Sequence, residues 1–157
     1  AVQYRQFASK LKASYNKPTT EGGFWDAENQ WYVYWRDKDG SIHGNNLVTP
    51  VNEAAIGYGL CEDAGRRDAI LGRMEAELQK EKLLFWPLSF FPYQPDEGHA
   101  ENFPFPKYEN GSIFLAWGEL AVRAYAKAKP EIAIKYIKNV LEKYEADGLS
   151  FQRYERD

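Results

Sequence analysis

The sequence predicts a mainly α-helical fold with a small β-ribbon, built as one domain over residues 1–157. Two features of the sequence support this prediction. Apolar residues recur every three or four positions in several segments, which is the spacing of a helix buried on one face. Residues 31–35 instead alternate between two sets of aromatic and β-branched side chains, which is the two-residue period of a strand.

The first helix is predicted over residues 2–16, where Phe7, Leu11 and Tyr15 form one apolar stripe and Pro18 follows the end. A β-ribbon is then predicted from residues 22–25 and 31–35, with residues 41–43 as a return strand after a turn at Gly40. In this ribbon Trp31, Val33 and Trp35 share one face, while Tyr32 and Tyr34 share the other. We expect the ribbon to lie across one end of a helical body, because an isolated ribbon is marginally stable.

Two predicted helical hairpins make up that body. The pair Thr49-Pro50 indicates a helix start, with Thr49 as N-cap, and this helix runs to about Leu60. A second helix is predicted over residues 66–82, and the short connection makes the two antiparallel neighbours. Helices over residues 112–127 and 130–147 form the second hairpin, with Gly148 just past its end.

The connection over residues 83–110 is too long for an ordinary loop and contains five prolines. Its many aromatic residues argue against disorder, so we predict an ordered loop packed over one end of the helices. The tail after residue 148 has no helical period.

Composition excludes several classes of function. The formal net charge of −3 argues against a nucleic-acid surface, which needs a basic stripe. No apolar run approaches the length of a membrane span. Cys61 is the lone cysteine and is interpreted as a buried thiol. The acids and histidine of residues 96–99 lack the spacing of a strong metal motif, and we predict neither a metal nor another cofactor.

Three segments resemble a known family: residues 45–60 (NNLVTPVNEAAIGYGL), residues 108–117 (YENGSIFLAW) and residues 22–25 (GGFW). Together they resemble the six-hairpin α/α-barrel glycosidases, which are toroids of paired inner and outer helices. The resemblance implies an α/α-hairpin toroid. Since six hairpins need about twice the helices predicted here, it implies the C-terminal part of such a barrel. An open barrel exposes apolar helix faces, so we expect self-association through them.

The resemblance implies a saccharide ligand and, in a complete barrel, glycoside hydrolysis by two carboxyl groups. Glu109 is the first candidate, because the dipole of the helix predicted after it favours an ionised base. Asp26 is the second candidate, because it directly follows Trp25. The alternatives are a solvated loop acid for Glu109 and turn formation for Asp26. Glu53 lies in the first turn of its predicted helix, where an acid is expected on structural grounds.

Aromatic side chains supply flat platforms for the apolar face of a sugar. The predicted substrate-binding residues are Trp25, Trp31, Trp35, Tyr108, Asn110 and Trp117.

Three functions are consistent with this sequence, and the structure of the site distinguishes between them. A cleft with two facing carboxylates favours hydrolysis. A cleft with rings and one carboxylate favours non-catalytic saccharide binding. The absence of a cleft favours a helical module that binds another protein.

Overall fold

The computed structural model describes residues 2–97 and 102–156 of the chain. Within these ranges the helices are α1 Val2–Tyr15, α2 Thr49–Gly57, α3 Ala64–Glu81, α4 Gly118–Ala126 and α5 Pro130–Asp147. The strands are short: β1 Trp25–Asp26, β2 Trp31–Tyr32, β3 Trp35–Arg36, β4 Ile42–His43, β5 Ile113–Phe114 and β6 Arg153–Tyr154. The mainly helical class is therefore confirmed, whereas the toroid arrangement stays a prediction.

Helix α4 is the centre of the helical packing, since it contacts both α2 and α5. Small buried residues allow the close approach of α2 and α4. A Cβ on Gly57 of α2 would lie 3.0 Å from the side-chain methylenes of Arg123 in α4. Among the described helices, none combines the length and the apolar composition that crossing a bilayer requires.

The ribbon consists of two separate antiparallel pairs. Strand β1 pairs with β2, with Trp25 opposite Tyr32, and β3 pairs with β4, with Trp35 opposite His43. Tyr32 is fully buried, as is Val33 beside it. The ring centroids of Tyr32 and Tyr15 lie 4.8 Å apart, so both sides of the ribbon are covered here.

Helix α1 ends close to the predicted position, but its stripe is largely uncovered. Phe7 is 66% exposed and Leu11 is 48% exposed, while Tyr15 packs against the ribbon at the end of the helix. Asn16 fastens this end, because its amide donates to the carbonyl of Leu60 at 2.9 Å and its oxygen accepts from the hydroxyl of Tyr32 at 2.6 Å.

The helix predicted from residue 112 begins later than expected. Strand β5 pairs with β6, with Ile113 opposite Tyr154, and a 3₁₀ turn over Leu115–Trp117 leads into α4 at Gly118. The prediction is wrong for residues 112–117 because the backbone there bonds to the tail. By contrast, α5 has the predicted bounds, and Gly148 follows it with φ 72°.

Two contacts hold the loop over residues 83–110 against the helices. The guanidinium of Arg156 pairs with Glu81 at the end of α3 and donates to the carbonyl of Ser89 at 3.0 Å. At the start of α2, the hydroxyl of Thr49 donates to the carbonyl of Pro87. Thr49 is therefore not the N-cap, a position that Val48 occupies.

The side chain of Asn52 joins α2 to the ribbon and is fully buried. Its Oδ1 accepts from the backbone N–H of Tyr32 at 2.8 Å. Its Nδ2 donates to the carbonyls of Tyr32 at 3.1 Å and Val48 at 2.9 Å. One amide thus satisfies three buried backbone groups.

We expect Asn52→Ala to lower the free energy of unfolding by about 3 kcal/mol, because it leaves the N–H and the carbonyl of Tyr32 buried without the partner that Asn52 provides. Urea unfolding followed by circular dichroism measures the change. Asn139→Ala is the matched control: Asn139 lies on α5, and no hydrogen bond of its side chain is found among the described residues. The control should change stability by about 0.5 kcal/mol or less. Equal losses in both variants would contradict the role of Asn52.

Candidate functional site

An open groove of about 500 Å³ lies between α2, α4 and the loop over residues 83–110. We call it the groove. Its apolar floor is formed by Val48, Pro50, Val51, Ala54, Leu88 and Leu120. Its remaining described lining residues are three aromatic residues and one acid: Tyr34, Tyr93, Trp117 and Glu109.

Tyr34 and Tyr93 form one wall of the groove. Their ring centroids lie 6.1 Å apart with the planes at 68°, and the Tyr34 side chain is 43% exposed. The backbone N–H of Tyr34 donates to the carbonyl of His43 at 3.0 Å. Position 44 must be glycine here, because a Cβ would lie 2.0 Å from the Cβ of Tyr34 and φ is +80°.

Two buried polar side chains hold the loop that carries Tyr93. The carboxylate of Glu97 accepts from the backbone N–H of Gly44 at 2.9 Å and of Gln94 at 2.8 Å. The amide of Asn110 accepts from the N–H of Tyr93 at 3.0 Å and donates to the carbonyl of Phe103 at 2.9 Å. Asn110 was predicted to contact the ligand. Its amide instead holds the loop whose Tyr93 forms part of the groove wall.

The Tyr93 hydroxyl is a neutral hydrogen-bonding group that lies near the side chain of Asn46. Burial raises the pKa of Tyr93 to about 12. At neutral pH the phenol is therefore protonated and can both donate and accept a hydrogen bond.

Trp117 and Glu109 are the two predicted site residues that the structure brings into the groove together. Trp117 is 51% exposed, and within the described part of the chain its indole has no ring-stacking partner. Glu109 is exposed on a turn. The helix-dipole argument for Glu109 does not apply, because α4 begins at Gly118 and β5 lies between them.

Three of the predicted aromatic platforms pack against other side chains outside the groove. Trp25 and Trp31 are 7% and 4% exposed and belong to the core. Trp35 stacks on His43, with centroids 4.6 Å apart. These three rings therefore do not belong to the described lining of the groove.

Tyr108 lies beside the groove, on the turn that carries Glu109. Its ring packs against Phe103 at 4.5 Å and Phe114 at 5.5 Å, and the Arg153 guanidinium lies 5.3 Å from the ring centroid. These contacts support the turn from outside the groove.

Asp26 does not belong to the described lining of the groove, to which Glu109 belongs. The Asp26 carboxylate accepts from the backbone N–H groups of Glu28 at 2.9 Å and Asn29 at 3.1 Å, and from the Asn29 side chain at 2.8 Å. These bonds stabilise the turn between β1 and β2. Of the acidic loop segment considered in the sequence, Gly98 and His99 lie outside the described residues.

Sequence reasoning did not assign Tyr93 or the apolar floor to the site. Tyr93 is one aromatic residue among many in a proline-rich loop, and no local pattern distinguishes it from the others. For Tyr34 a signal existed, since it lies opposite the tryptophans in the alternating run.

Behind the groove, Glu53 lines a narrow recess. The recess is lined by α2, by the loop at Trp86 and Leu88, and by Trp117 and Gly118 at the start of α4. Glu53 is 1% exposed, and its Oε1 atom has no hydrogen-bond partner. Burial raises the pKa of Glu53 well above its usual range, so the neutral acid is favoured. Leu88 and Trp117 line both the recess and the groove.

Comparison of the chain with protein-family models, with curated proteins and with solved structures found no match.

The stability of the protein should depend on pH through Glu53. Because its pKa is raised on folding, the native state keeps a proton that the unfolded chain loses. The stability that this proton provides is fully present below the pKa of the unfolded chain. As the pH rises above that pKa, the free energy of unfolding falls by up to about 1.4 kcal/mol per pH unit. Since Gln cannot ionise, we expect Glu53→Gln to be more stable than the wild type, by a margin that grows as the pH rises above the pKa of about 4.3 that a glutamate has in the unfolded chain.

Urea unfolding at several pH values measures this margin. Glu77→Gln is the matched control, because Glu77 is also buried but pairs with Arg73 at 3.1 Å and Lys80 at 3.2 Å. The control should show no gain with rising pH, since it loses ion pairs. A constant difference between Glu53→Gln and the wild type would show that Glu53 does not titrate as inferred.

Proposed function

We propose that this chain binds saccharide in the groove. The proposal rests on one observation. Three aromatic side chains and one carboxylate line the same groove, above its apolar floor. Tyr34 and Tyr93 form one wall, while Trp117 and Glu109 complete the lining. A sugar ring has an apolar C–H face and an edge of hydroxyl groups, and this combination of side chains suits both.

The polar groups of the groove are suited to sugar hydroxyls. The Glu109 carboxylate accepts hydrogen bonds only, so it selects for hydroxyl donors. The neutral phenol of Tyr93 can donate or accept. The half-exposed indole of Trp117 offers a flat surface against which a ring can stack.

The segments with the family resemblance support the same proposal. Residues 45–60 supply much of the floor, and residues 108–117 supply Glu109 and Trp117. Two separate segments that resemble the six-hairpin glycosidases thus line one groove. We infer an α/α-toroid relationship from this convergence, with the described helices as part of such a ring.

Binding is favoured over hydrolysis. Among the described residues that line the groove, Glu109 is the one carboxylate, and Asp26 is engaged in its own turn. Hydrolysis by the usual route needs two carboxyl groups that flank the scissile bond.

We expect Trp117→Ala and Glu109→Gln each to weaken saccharide binding about tenfold, which corresponds to about 1.4 kcal/mol. The first change removes a stacking surface, and the second removes a charged acceptor. Isothermal titration calorimetry against a panel of neutral hexoses and their disaccharides measures both effects.

Two exposed residues outside the groove provide controls. Tyr58→Ala removes a ring that is 59% exposed, and Glu28→Gln removes an exposed carboxylate. Both variants should bind like the wild type. The proposal is rejected if no sugar of the panel binds to the wild type, or if the controls weaken binding as much as the groove variants do.

Self-association through exposed helix faces also stays a proposal. Helix α1 exposes Phe7 and Leu11, and α5 exposes Ile134 at 52% and Leu141 at 58%. Such rows of apolar side chains favour a second apolar surface over water.

We therefore expect the mean mass from light scattering to rise with protein concentration. Leu11→Glu and Leu141→Glu together should reduce this rise, because a charge in an apolar contact is costly. Lys10→Glu and Lys138→Glu form the matched control on polar positions of the same helices. A monomeric mass at every concentration would refute self-association.

A further inference from the structure

The buried carboxyl group of Glu53 has no evident structural partner. Its Oε1 atom is inaccessible to solvent and makes no hydrogen bond, although buried polar atoms in folded proteins are nearly always paired. A Leu or Met side chain at this position of α2 would fill similar space without that cost. The side chain must therefore be explained by something other than stability.

The position of Glu53 indicates a role in ligand binding. Its recess is too narrow for a water molecule, and it is separated from the groove by Leu88 and Trp117, which border both spaces. Leu88 belongs to a loop held by backbone bonds, since its N–H donates to the Ser112 carbonyl at 2.9 Å and its carbonyl accepts from the Thr49 N–H at 3.0 Å. Of the two separating residues, Trp117 is the one whose side chain is half exposed.

Trp117 is suited to move away from the recess. It is the last residue of the 3₁₀ turn before α4, and its indole has no stacking or hydrogen-bonding partner among the described residues. The next residue, Gly118, borders the recess, and a Cβ there would lie 2.5 Å from the Phe85 ring. The backbone is thus fixed while the indole is comparatively free to change rotamer.

We propose that Glu53 is a ligand contact that Trp117 covers in this structure. When the indole of Trp117 turns toward the ligand, the carboxyl group of Glu53 hydrogen-bonds a saccharide hydroxyl. This inference rests on the proposed saccharide binding and adds a second polar contact to it. Turning the indole joins the recess to the groove and opens room for a hydroxyl beside Oε1. The same rotation brings the Trp117 ring over the groove, where a sugar can stack on it.

The proposal explains why an acid suits this position. A neutral carboxyl group carries one O–H donor and acceptor oxygens, so it can bond a hydroxyl in either sense. Burial in the recess keeps the acid neutral. On the neighbouring helix, Tyr125 is a titratable side chain close enough for Glu53 to influence it, and burial is the main cause that raises the pKa of Tyr125 well above its usual range. Tyr125 therefore does not titrate near neutral pH.

The first experiment tests whether Trp117 covers Glu53 and needs no ligand. Carbon-13 NMR of the glutamate side-chain carboxyl groups, with the Glu53 signal identified by its loss in Glu53→Gln, gives the midpoint of its titration. In Trp117→Ala water reaches the recess, so we expect this midpoint to move to lower pH than in the wild type. Phe151→Ala, which removes an exposed ring outside the recess, should leave it unchanged. An unchanged midpoint in Trp117→Ala overturns the proposal.

The second experiment tests the contact itself by calorimetry with the same panel of hexoses and disaccharides. Glu53→Gln keeps a donor and an acceptor, whereas Glu53→Leu has neither and retains a well-filled core. We expect Glu53→Leu to bind the sugar at least about tenfold more weakly than Glu53→Gln. Equal affinities of the two variants overturn the concealed contact and leave groove binding intact. Failure of the wild type to bind any sugar of the panel overturns both proposals.

Discussion

The backbone of Tyr32 has its N–H and its carbonyl bonded to one side chain, the buried amide of Asn52. A strand of two residues cannot hold its place by pairing alone, since a short ribbon is marginally stable in water. The Asn52 amide supplies the pairing that a neighbouring strand would supply in a sheet. Because Asn52 lies on α2, this contact fixes the ribbon to the helix that provides the groove floor, and so sets where Tyr34 lies relative to Val51 and Ala54.

Buried polar contacts of the same kind position the rest of the groove. Glu97 joins the long loop to the ribbon, Asn110 joins two parts of that loop, and Arg156 joins it to the end of α3. Each contact satisfies backbone groups that a loop cannot satisfy by itself. The groove rings therefore lie on or beside segments whose backbone groups are hydrogen-bonded to buried side chains, and such support favours a preformed binding surface.

The helices were predictable because each has an apolar period of its own, and α5 with its proline start and glycine end was predicted at its observed bounds. The errors arose where a remote residue determines local structure. Residues 112–117 look helical in isolation, yet Ile113 pairs with Tyr154 in the tail. The alternation of Tyr32 with Trp31 likewise does not reveal that Tyr32 is buried, because Asn52 and Tyr15, which contact it, are distant in sequence. Glu109 and Trp117 were found from a loop motif, whereas Tyr93 depended on a loop path that no local pattern encodes.

Two buried glutamates, Glu77 and Glu53, differ in whether a cation neutralises them. Glu77 is 5% exposed on α3, and Arg73 and Lys80 from the same helix neutralise it within 3.2 Å. Glu53 is more deeply buried on α2, and no cation pairs with it among the described residues. Helical spacing makes an ion pair available to any surface-facing glutamate, but α2 places Glu53 toward α4, where the neighbours are aromatic and apolar. An acid retained in such surroundings is stable only in its neutral form. The fold thus favours a neutral carboxyl group on Glu53, in a recess that shares Leu88 and the half-exposed Trp117 with the aromatic groove.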